Sequence, residues 1–314
     1  MGRTVVVLDP IHASGIELIQ KAGFNVIEAY DSPPNAVEEF IKNADVVIVR
    51  SRTKVTRSLI EKAPHLKLIA RCGVGLDNID LKAAEERGIC VINSPESSAV
   101  SVAELTIGLI LSLLRMIPLA DRSMKDGKWL KKELEGTQFY GKTLGIIGFG
   151  RIGQAVAERA LAFGAKIIAY DVDESKASIA KKMGITFVSG PGSLEFLLRN
   201  SDIVSLHVPL SEETRKLIGP RELELMKPGS YLVNTARGGL IDEEALYQAL
   251  KSGKLAGAAL DVFSEEPPKN KDLISLPNVI CTPHIGASTY ECQLANAVEI
   301  AQKIVDFFKS ERNA

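Results

Sequence analysis

Short apolar runs rich in β-branched residues alternate with segments of helical period from the first residues onward. Five such runs lie at 4–9 (TVVVLD), 25–30 (NVIEAY), 45–49 (DVVIV), 67–71 (KLIAR) and 90–93 (CVIN). The rhythm predicts βαβ units and a parallel sheet. A helical segment at 97–116 leads into a polar stretch at 121–142, which reads as the boundary before the rhythm restarts. The second series, at 143–148, 166–171, 185–188, 202–207, 230–234, 256–262 and 278–283, supplies seven candidate strands for a doubly wound sheet. A last amphipathic segment, 290–308, is predicted to fold back onto the first lobe. The first lobe is then discontinuous (1–96 with 287–314), and the second (97–286) is inserted in it. The class is α/β with two doubly wound parallel-sheet lobes, and no residue-level repeat or low-complexity segment interrupts it.

At 314 residues the chain exceeds the usual size of a single core, so two domains with a cleft between them are expected. A net charge of -1 with 25% charged residues supplies no field to attract nucleic acid or an anionic membrane, which leaves small molecules as the expected partners. The opening MGRTVVVLDP lacks the regions of a secretory signal. The longest apolar stretch, 99–118, contains Glu104 and Arg115 and reads as a buried helix, not a membrane span. A cytoplasmic protein is expected. Cys72, Cys90, Cys281 and Cys292 form no CxxC pair and have no histidine at ligand spacing. They are expected to be reduced and mostly buried, with no metal site and no disulfide framework.

GFGRIG at 148–153 directly follows the apolar run 143–147 and precedes a helical pattern, the context a bare glycine motif lacks. Gly148 permits the tight turn, Gly150 lets backbone approach a pyrophosphate, and Gly153 lets helix pack on strand. Asp171 stands 23 residues after Gly148, at the end of the next strand, where a carboxylate can accept from both ribose hydroxyls. It is followed by Val172, Asp173 and Glu174, with no arginine to meet a 2′-phosphate, so NAD is favoured over NADP. His207 and Pro209, in HVPL after the 202–207 run, either line a nicotinamide riboside pocket with their backbone or pack at a strand end.

Three further residues each follow a predicted strand: Arg237 after 230–234, Glu266 after 256–262 and His284 after 278–283. Alone, they read as a surface ion pair, a solvated turn and a loop histidine. In this order, behind a dinucleotide loop, they match what hydride transfer between a 2-hydroxy acid and a nicotinamide requires. Arginine offers a planar fork for a carboxylate, histidine exchanges a proton near neutral pH, and a carboxylate orients the imidazole. Ligands of open α/β sheets bind at the carboxyl ends of strands, so the three are candidates for one crevice.

The motifs RCGVGLDNID (71–80), SVAELTIGLILSLLR (101–115), SMKDGKWLKK (123–132), GKTLGIIGFGRIG (141–153), NTARGGLIDEEAL (234–246), GAALDVFSEEP (257–267) and TPHIGAST (282–289) together resemble the NAD-dependent D-2-hydroxyacid dehydrogenase family over nearly the whole chain. The resemblance implies a Rossmann NAD-binding domain inserted in a flavodoxin-like substrate domain, with Arg237, Glu266 and His284 in the catalytic positions. Its implied cofactor contacts are Gly148, Gly150, Arg151, Ile152, Gly153, Asp171, His207, Pro209, Thr214, Thr235, Ala236, Arg237, Asp261, His284 and Gly286. Its implied substrate contacts are the Gly73, Val74 and Gly75 backbone loop, Asn78, Arg237, His284, and Arg50, Ser51 and Arg52, where the two arginines resemble the phosphate-binding positions of the members that act on 3-phosphoglycerate.

The resemblance thereby implies oxidation of 3-phospho-D-glycerate to 3-phosphooxypyruvate, the first step of the phosphorylated route to serine. A glyoxylate or hydroxypyruvate reductase on the same scaffold is the alternative, and an NADH-sensing binding protein a further one. Lys131 and Lys132 after Trp129 read either as a solvated turn or as further substrate cations. A homodimer is expected from the apolar 97–116 helix and the Trp129 loop. Some members carry C-terminal regulatory domains; the sequence ends at Ala314, so serine feedback through one is not expected.

Overall fold

The apolar runs become strands within two residues of the expected bounds. The computed structural model describes residues 2–313. The chain opens with β1 (Thr4–Val7), α1 (Ala13–Lys21), β2 (Asn25–Glu28), α2 (Pro34–Lys42), β3 (Val46–Val49), α3 (Arg57–Glu61), β4 (Leu68–Arg71), α4 (Leu81–Glu86) and β5 (Cys90–Asn93). It continues through α5 (Ala99–Leu114), α6 (Ile117–Lys125), β6 (Thr143–Ile147), α7 (Arg151–Ala162), β7 (Lys166–Tyr170), α8 (Ala177–Lys182), β8 (Thr186–Val188), α9 (Ser193–Asn200) and β9 (Ile203–Leu206). Next come α10 (Pro220–Leu225), β10 (Ser230–Asn234), α11 (Glu243–Lys251), β11 (Leu255–Leu260), α12 (Lys271–Ser275), β12 (Val279–Cys281) and α13 (Tyr290–Asn313). Two compact units result: the residues up to Ser98 together with those from Ala287, and Ala99–Gly286.

The first unit holds a five-stranded sheet of order β2-β1-β3-β4-β5, with every pairing parallel. Parallel strands covered by helices on both faces need apolar side chains on both, and Val46–Val49 are fully buried. On one face α13 contributes Ile300, Ala301, Ile304 and Phe308 to a core shared with Val5, Val7, Ile48 and Leu68. The long reach back from α13 is allowed locally by Gly15, where a Cβ would approach the Ala297 carbonyl oxygen to 2.7 Å.

The second unit holds a seven-stranded sheet of order β12-β11-β10-β9-β6-β7-β8, again parallel throughout. Its faces are covered by two separate cores. One includes Ile107, Ile110 and Leu114 of α5 with Val156 and Ala160 of α7. The other includes Leu197, Leu223, Leu246 and Leu250 from α9, α10 and α11. Strand order reverses between β1 and β3 in the first sheet and between β6 and β9 in the second, and crevices form beyond the carboxyl ends of strands at such points.

The sequence reading and the fold part company in three places. The helix expected to reach Met116 ends at Leu114; Met116 is left-handed (φ 51°) and α6 starts afresh with proline in its first turn. Proline has no N–H to lose there, so it starts a helix without cost. The polar stretch 121–142 does not separate the units but lies inside the second, where Trp129 is 74% exposed. Of the cysteines only Cys72 and Cys292 are buried, and Cys281 is exposed. Among the described residues no single helix is long and apolar enough to cross a membrane.

Helix α7 packs closely on the end of β6 at Gly153. A methyl group there would overlap the carbonyl oxygen of Gly148 and approach Ile146 Cγ2 to 3.1 Å. Gly153→Ala is expected to destabilise the protein by about 1–3 kcal/mol, the usual scale of overpacking against rigid backbone. Urea unfolding checks this: an unchanged midpoint would mean that α7 shifts freely on the sheet.

Candidate active site

After β6 the chain turns through Gly148, whose φ of 95° is one that side chains rarely adopt. A Cβ at Gly148 would also meet the His207 carbonyl carbon at 2.6 Å, whereas one at Gly150 would meet nothing within 4 Å. The first glycine thus serves close packing and the second leaves open room. The first turn of α7 carries no side-chain cap, the arrangement that receives a phosphate at a helix N-terminus. Asp171 follows β7 and ties the two segments together: Oδ2 accepts from Phe149 N at 2.8 Å and Oδ1 from Asp173 N at 2.9 Å.

Beyond β9, Thr214 Oγ1 donates to Pro209 O at 2.7 Å and accepts from Ser211 N at 2.8 Å, closing the loop 209–214 on itself. His207 N donates to Ile147 O at 2.7 Å. The residue as a whole is half-buried, but its ring is enclosed. Nε2 lies 2.8 Å from Ser205 Oγ, Nδ1 is buried without a partner, and burial pushes the pKa down to about 3. Its imidazole is therefore neutral, and its side chain packs at the strand end while its backbone supports the glycine turn.

Beyond β10, Asn234 folds the next residues around itself. Its Oδ1 accepts from Ala236 N at 3.0 Å, its Nδ2 donates to Arg237 O at 2.9 Å, and it is fully buried. Thr235 is buried beside it, its hydroxyl 2.9 Å from that of Thr106 on α5. Gly238 then passes so close to the Phe263–Ser264 backbone that no side chain fits. This packing brings the segment of Arg237 against the segment after β11.

Beyond β11, Asp261 is 1% exposed, and its carboxylate organises the segment after β12. Oδ1 accepts from Thr282 Oγ1 at 2.6 Å and from Ile285 N at 2.8 Å, and Oδ2 accepts from Gly286 N at 2.8 Å. His284, held in the left-handed region at φ 54°, donates its own N–H to Asp261 O at 2.8 Å. Its Nδ1 lies 2.8 Å from Glu266 Oε2. A carboxylate only accepts, so Nδ1 carries the proton and Nε2 is left as the basic nitrogen. Burial by itself raises the pKa of Glu266. The His284 hydrogen bond and charge, the Phe263 N–H and the Arg237 charge outweigh it, and the net shift is downward. Arg237, Glu266 and His284 are thus electrostatically linked within one unit.

Arg151 and Ile152 open α7 in the second unit, and the predicted substrate residues of the 50–52 and 73–78 segments lie in the first unit. After β3, the 50–53 loop is gripped from two sides. Buried Asp9 accepts from Arg50 N (2.6 Å), Thr53 N (3.1 Å), Thr53 Oγ1 (2.6 Å) and Arg52 Nε (3.2 Å). Asn78 Nδ2 donates to Arg50 O at 2.7 Å and Thr53 O at 2.6 Å. Asn78 is thereby committed to shaping the loop, and the Arg52 charge to Asp9, while Ser51 is exposed. After β4, Gly73 has a φ of 140° and Val74 is 38% exposed. Asp9, Asn234 and Thr282 were not singled out by sequence. Asparagine directly after a strand is a turn signal that marks Asn234; Asp9 and Thr282 act on partners remote in sequence.

The family model for the NAD binding domain of D-isomer specific 2-hydroxyacid dehydrogenases matches residues 107–286. Over 307 residues the chain is 50% identical to a D-3-phosphoglycerate dehydrogenase of Methanocaldococcus jannaschii, covering 98% of this chain but 58% of that protein. Over 303 residues it is 48% identical to a hydroxypyruvate reductase of Thermotoga maritima, covering 96% of each. The solved structure of D-lactate dehydrogenase from Aquifex aeolicus with NAD and lactic acid superposes with a TM-score of 0.84 at 33% identity, over 99% of this chain and 97% of that one.

The downward shift of Glu266 has a consequence for stability. A carboxyl group with a lowered folded-state pKa contributes stability that is complete above its ordinary value of 4.5 and is lost as the pH falls through the folded value. The stability advantage of the wild type over Glu266→Gln should therefore shrink as the pH drops below 4.5. Urea unfolding at a series of pH values tests this; an advantage that stays constant from about pH 6 to about pH 3 would contradict it.

Proposed function

From the premise that this chain belongs to the D-isomer specific 2-hydroxyacid dehydrogenase family, we propose that it oxidises 3-phospho-D-glycerate to 3-phosphooxypyruvate. NAD-dependent dehydrogenation of a 2-hydroxy acid is the activity of the family; the phosphorylated substrate and the roles of individual residues are the proposal. The observation that carries it is the His284 Nδ1–Glu266 Oε2 contact of 2.8 Å with Arg237 close enough to act on Glu266. It supplies a base, its orienting carboxylate and a carboxylate receptor in one place.

Gly148, Gly150, the first turn of α7, Asp171 and the 209–214 loop would hold NAD, which when bound supplies the acceptor for the two electrons leaving C2. His284 Nε2 takes the proton of the C2 hydroxyl as the carbonyl forms. Glu266 keeps the ring in the tautomer that leaves Nε2 free to do so and stabilises the imidazolium that results. Arg237 grips the substrate carboxylate with its fork, and the backbone of Gly73–Gly75 is the further substrate contact that the family resemblance implies. Arg50 meets the phosphate, with Arg52 already compensated by Asp9 at 3.2 Å.

A second reading, hydroxypyruvate reduction, is favoured by the 48% identity to the hydroxypyruvate reductase. The chain spans 58% of the length of the phosphoglycerate dehydrogenase that it matches. The deciding experiment measures NADH formation from 3-phosphoglycerate beside NADH consumption with 3-phosphooxypyruvate, hydroxypyruvate and glyoxylate. A preference for the phosphorylated pair above about tenfold, roughly 1.4 kcal/mol, is expected from one charge-assisted contact. Better turnover of the unphosphorylated acids moves the protein to the reductase reading. Silence with all four would leave an NADH-binding protein. In the same assays His284→Ala should lower kcat about 100-fold or more at unchanged NADH affinity, and an unaltered kcat would remove His284 from the mechanism.

A further inference from the structure

We infer that Ser94 and Asn296 are positioning residues for the Gly73–Gly75 loop, through which helix α13 sets the geometry of the backbone that meets the substrate. The inference rests on the reading that this loop contacts substrate, and it concerns what holds the loop in shape.

Gly73 has both of its backbone polar groups bound by one residue. Its N–H donates to Ser94 Oγ at 2.8 Å, and its carbonyl accepts from Ser94 N at 3.0 Å. Because Ser94 Oγ already accepts from Gly73, its single proton goes to Asn296 Oδ1, 2.8 Å away and 202 residues later in sequence. That direction also fixes the Asn296 amide, whose Nδ2 donates to Cys292 Sγ one helical turn earlier at 3.2 Å. Ser94 is fully buried and Asn296 is 2% exposed, so water is a poor substitute for either partner. A second arm runs beside the first. Lys303 Nζ, also on α13, donates to Asn93 O at 2.8 Å, and Asn93 Nδ2 donates to Val74 O at 2.7 Å.

The two arms pin Gly73 and the Val74 carbonyl. Gly73 itself, at φ 140°, is in a conformation open to glycine and therefore also the most weakly self-determined point of the loop. Its shape has to be imposed from outside. A chain of buried hydrogen bonds in which each donor fixes the next does that, and removing any link leaves a buried polar group unmatched.

The test is a double-mutant cycle in the 314-residue chain with Ser94→Ala, Asn296→Ala and the pair. It is read by KM for the 2-hydroxy acid, kcat, NADH affinity, and hydrogen exchange over residues 71–78. Each single variant should raise KM about tenfold with kcat within about twofold and NADH affinity unchanged. The pair should be no worse than the worse single, since the two act in series. Exchange over 71–78 should accelerate in both. Asn296→Asp, which keeps an acceptor for Ser94 Oγ, should restore KM to within about threefold of wild type, a rescue that a packing role would not give. Unaltered exchange in Ser94→Ala would overturn the clamp while leaving the reading of the loop intact. Faster exchange with an unchanged KM would instead remove the loop from the substrate site, and the inference with it. Additive losses in the pair would show that the two residues do not act through one path.

Discussion

Burying a carboxylate is costly unless several donors surround it, and Asp261 meets that condition with a hydroxyl and two backbone amides, all from the segment after β12. Those donors are five residues or fewer apart in sequence, so satisfying them all forces the intervening chain into a tight arch. His284 stands within that arch in a left-handed conformation that a residue with a side chain seldom adopts. The imidazole is presented because the carboxylate beneath it must be paired. The approach of the Arg237 segment to the segment that carries Glu266 follows in turn from Gly238, whose lack of a side chain lets it pass against the Phe263–Ser264 backbone.

The same device recurs in the first unit with opposite polarity on its two sides. Asp9 collects the amides of the 50–53 loop, and Asn78 donates to its carbonyls. Burial raises the pKa of Asp9, but the hydrogen bonds from Thr53, Arg50 and Arg52 more than offset this and the net shift is downward. The loop is therefore held by an ion over the ordinary pH range, and the backbone that carries Arg50 does not depend on what Arg50 binds.

Most of the architecture was legible in the sequence because a parallel strand buried on both faces has to be an unbroken β-branched run, and such runs are easy to see. The glycine loop and the strand-end positions of Arg237, Glu266 and His284 were legible for a related reason: their neighbours in sequence are the strands that carry them. What sequence did not disclose are the pairings. Asp9 acts on residues 41 to 44 positions later, and Ser94 on one 202 positions away. No local pattern distinguishes such residues from any other buried polar side chain. The break at Met116 was hidden because 99–118 is apolar on both sides of it, and the polar 121–142 stretch imitated a linker although it is tied into the second unit, by Thr137 N to Leu114 O and Lys166 N to Lys142 O.

His207 gives the second unit a further property. Its ring is locked in the neutral form by burial, with a pKa of about 3, so it takes no part in any equilibrium between protonated and deprotonated enzyme near neutrality. The carboxyl edge of the seven-stranded sheet thus carries two imidazoles, of which the one at His207 is held neutral by its surroundings. The charge state at the strand end that packs against the glycine turn is therefore fixed by burial, and what this residue contributes to the field around the dinucleotide loop stays constant through the neutral range.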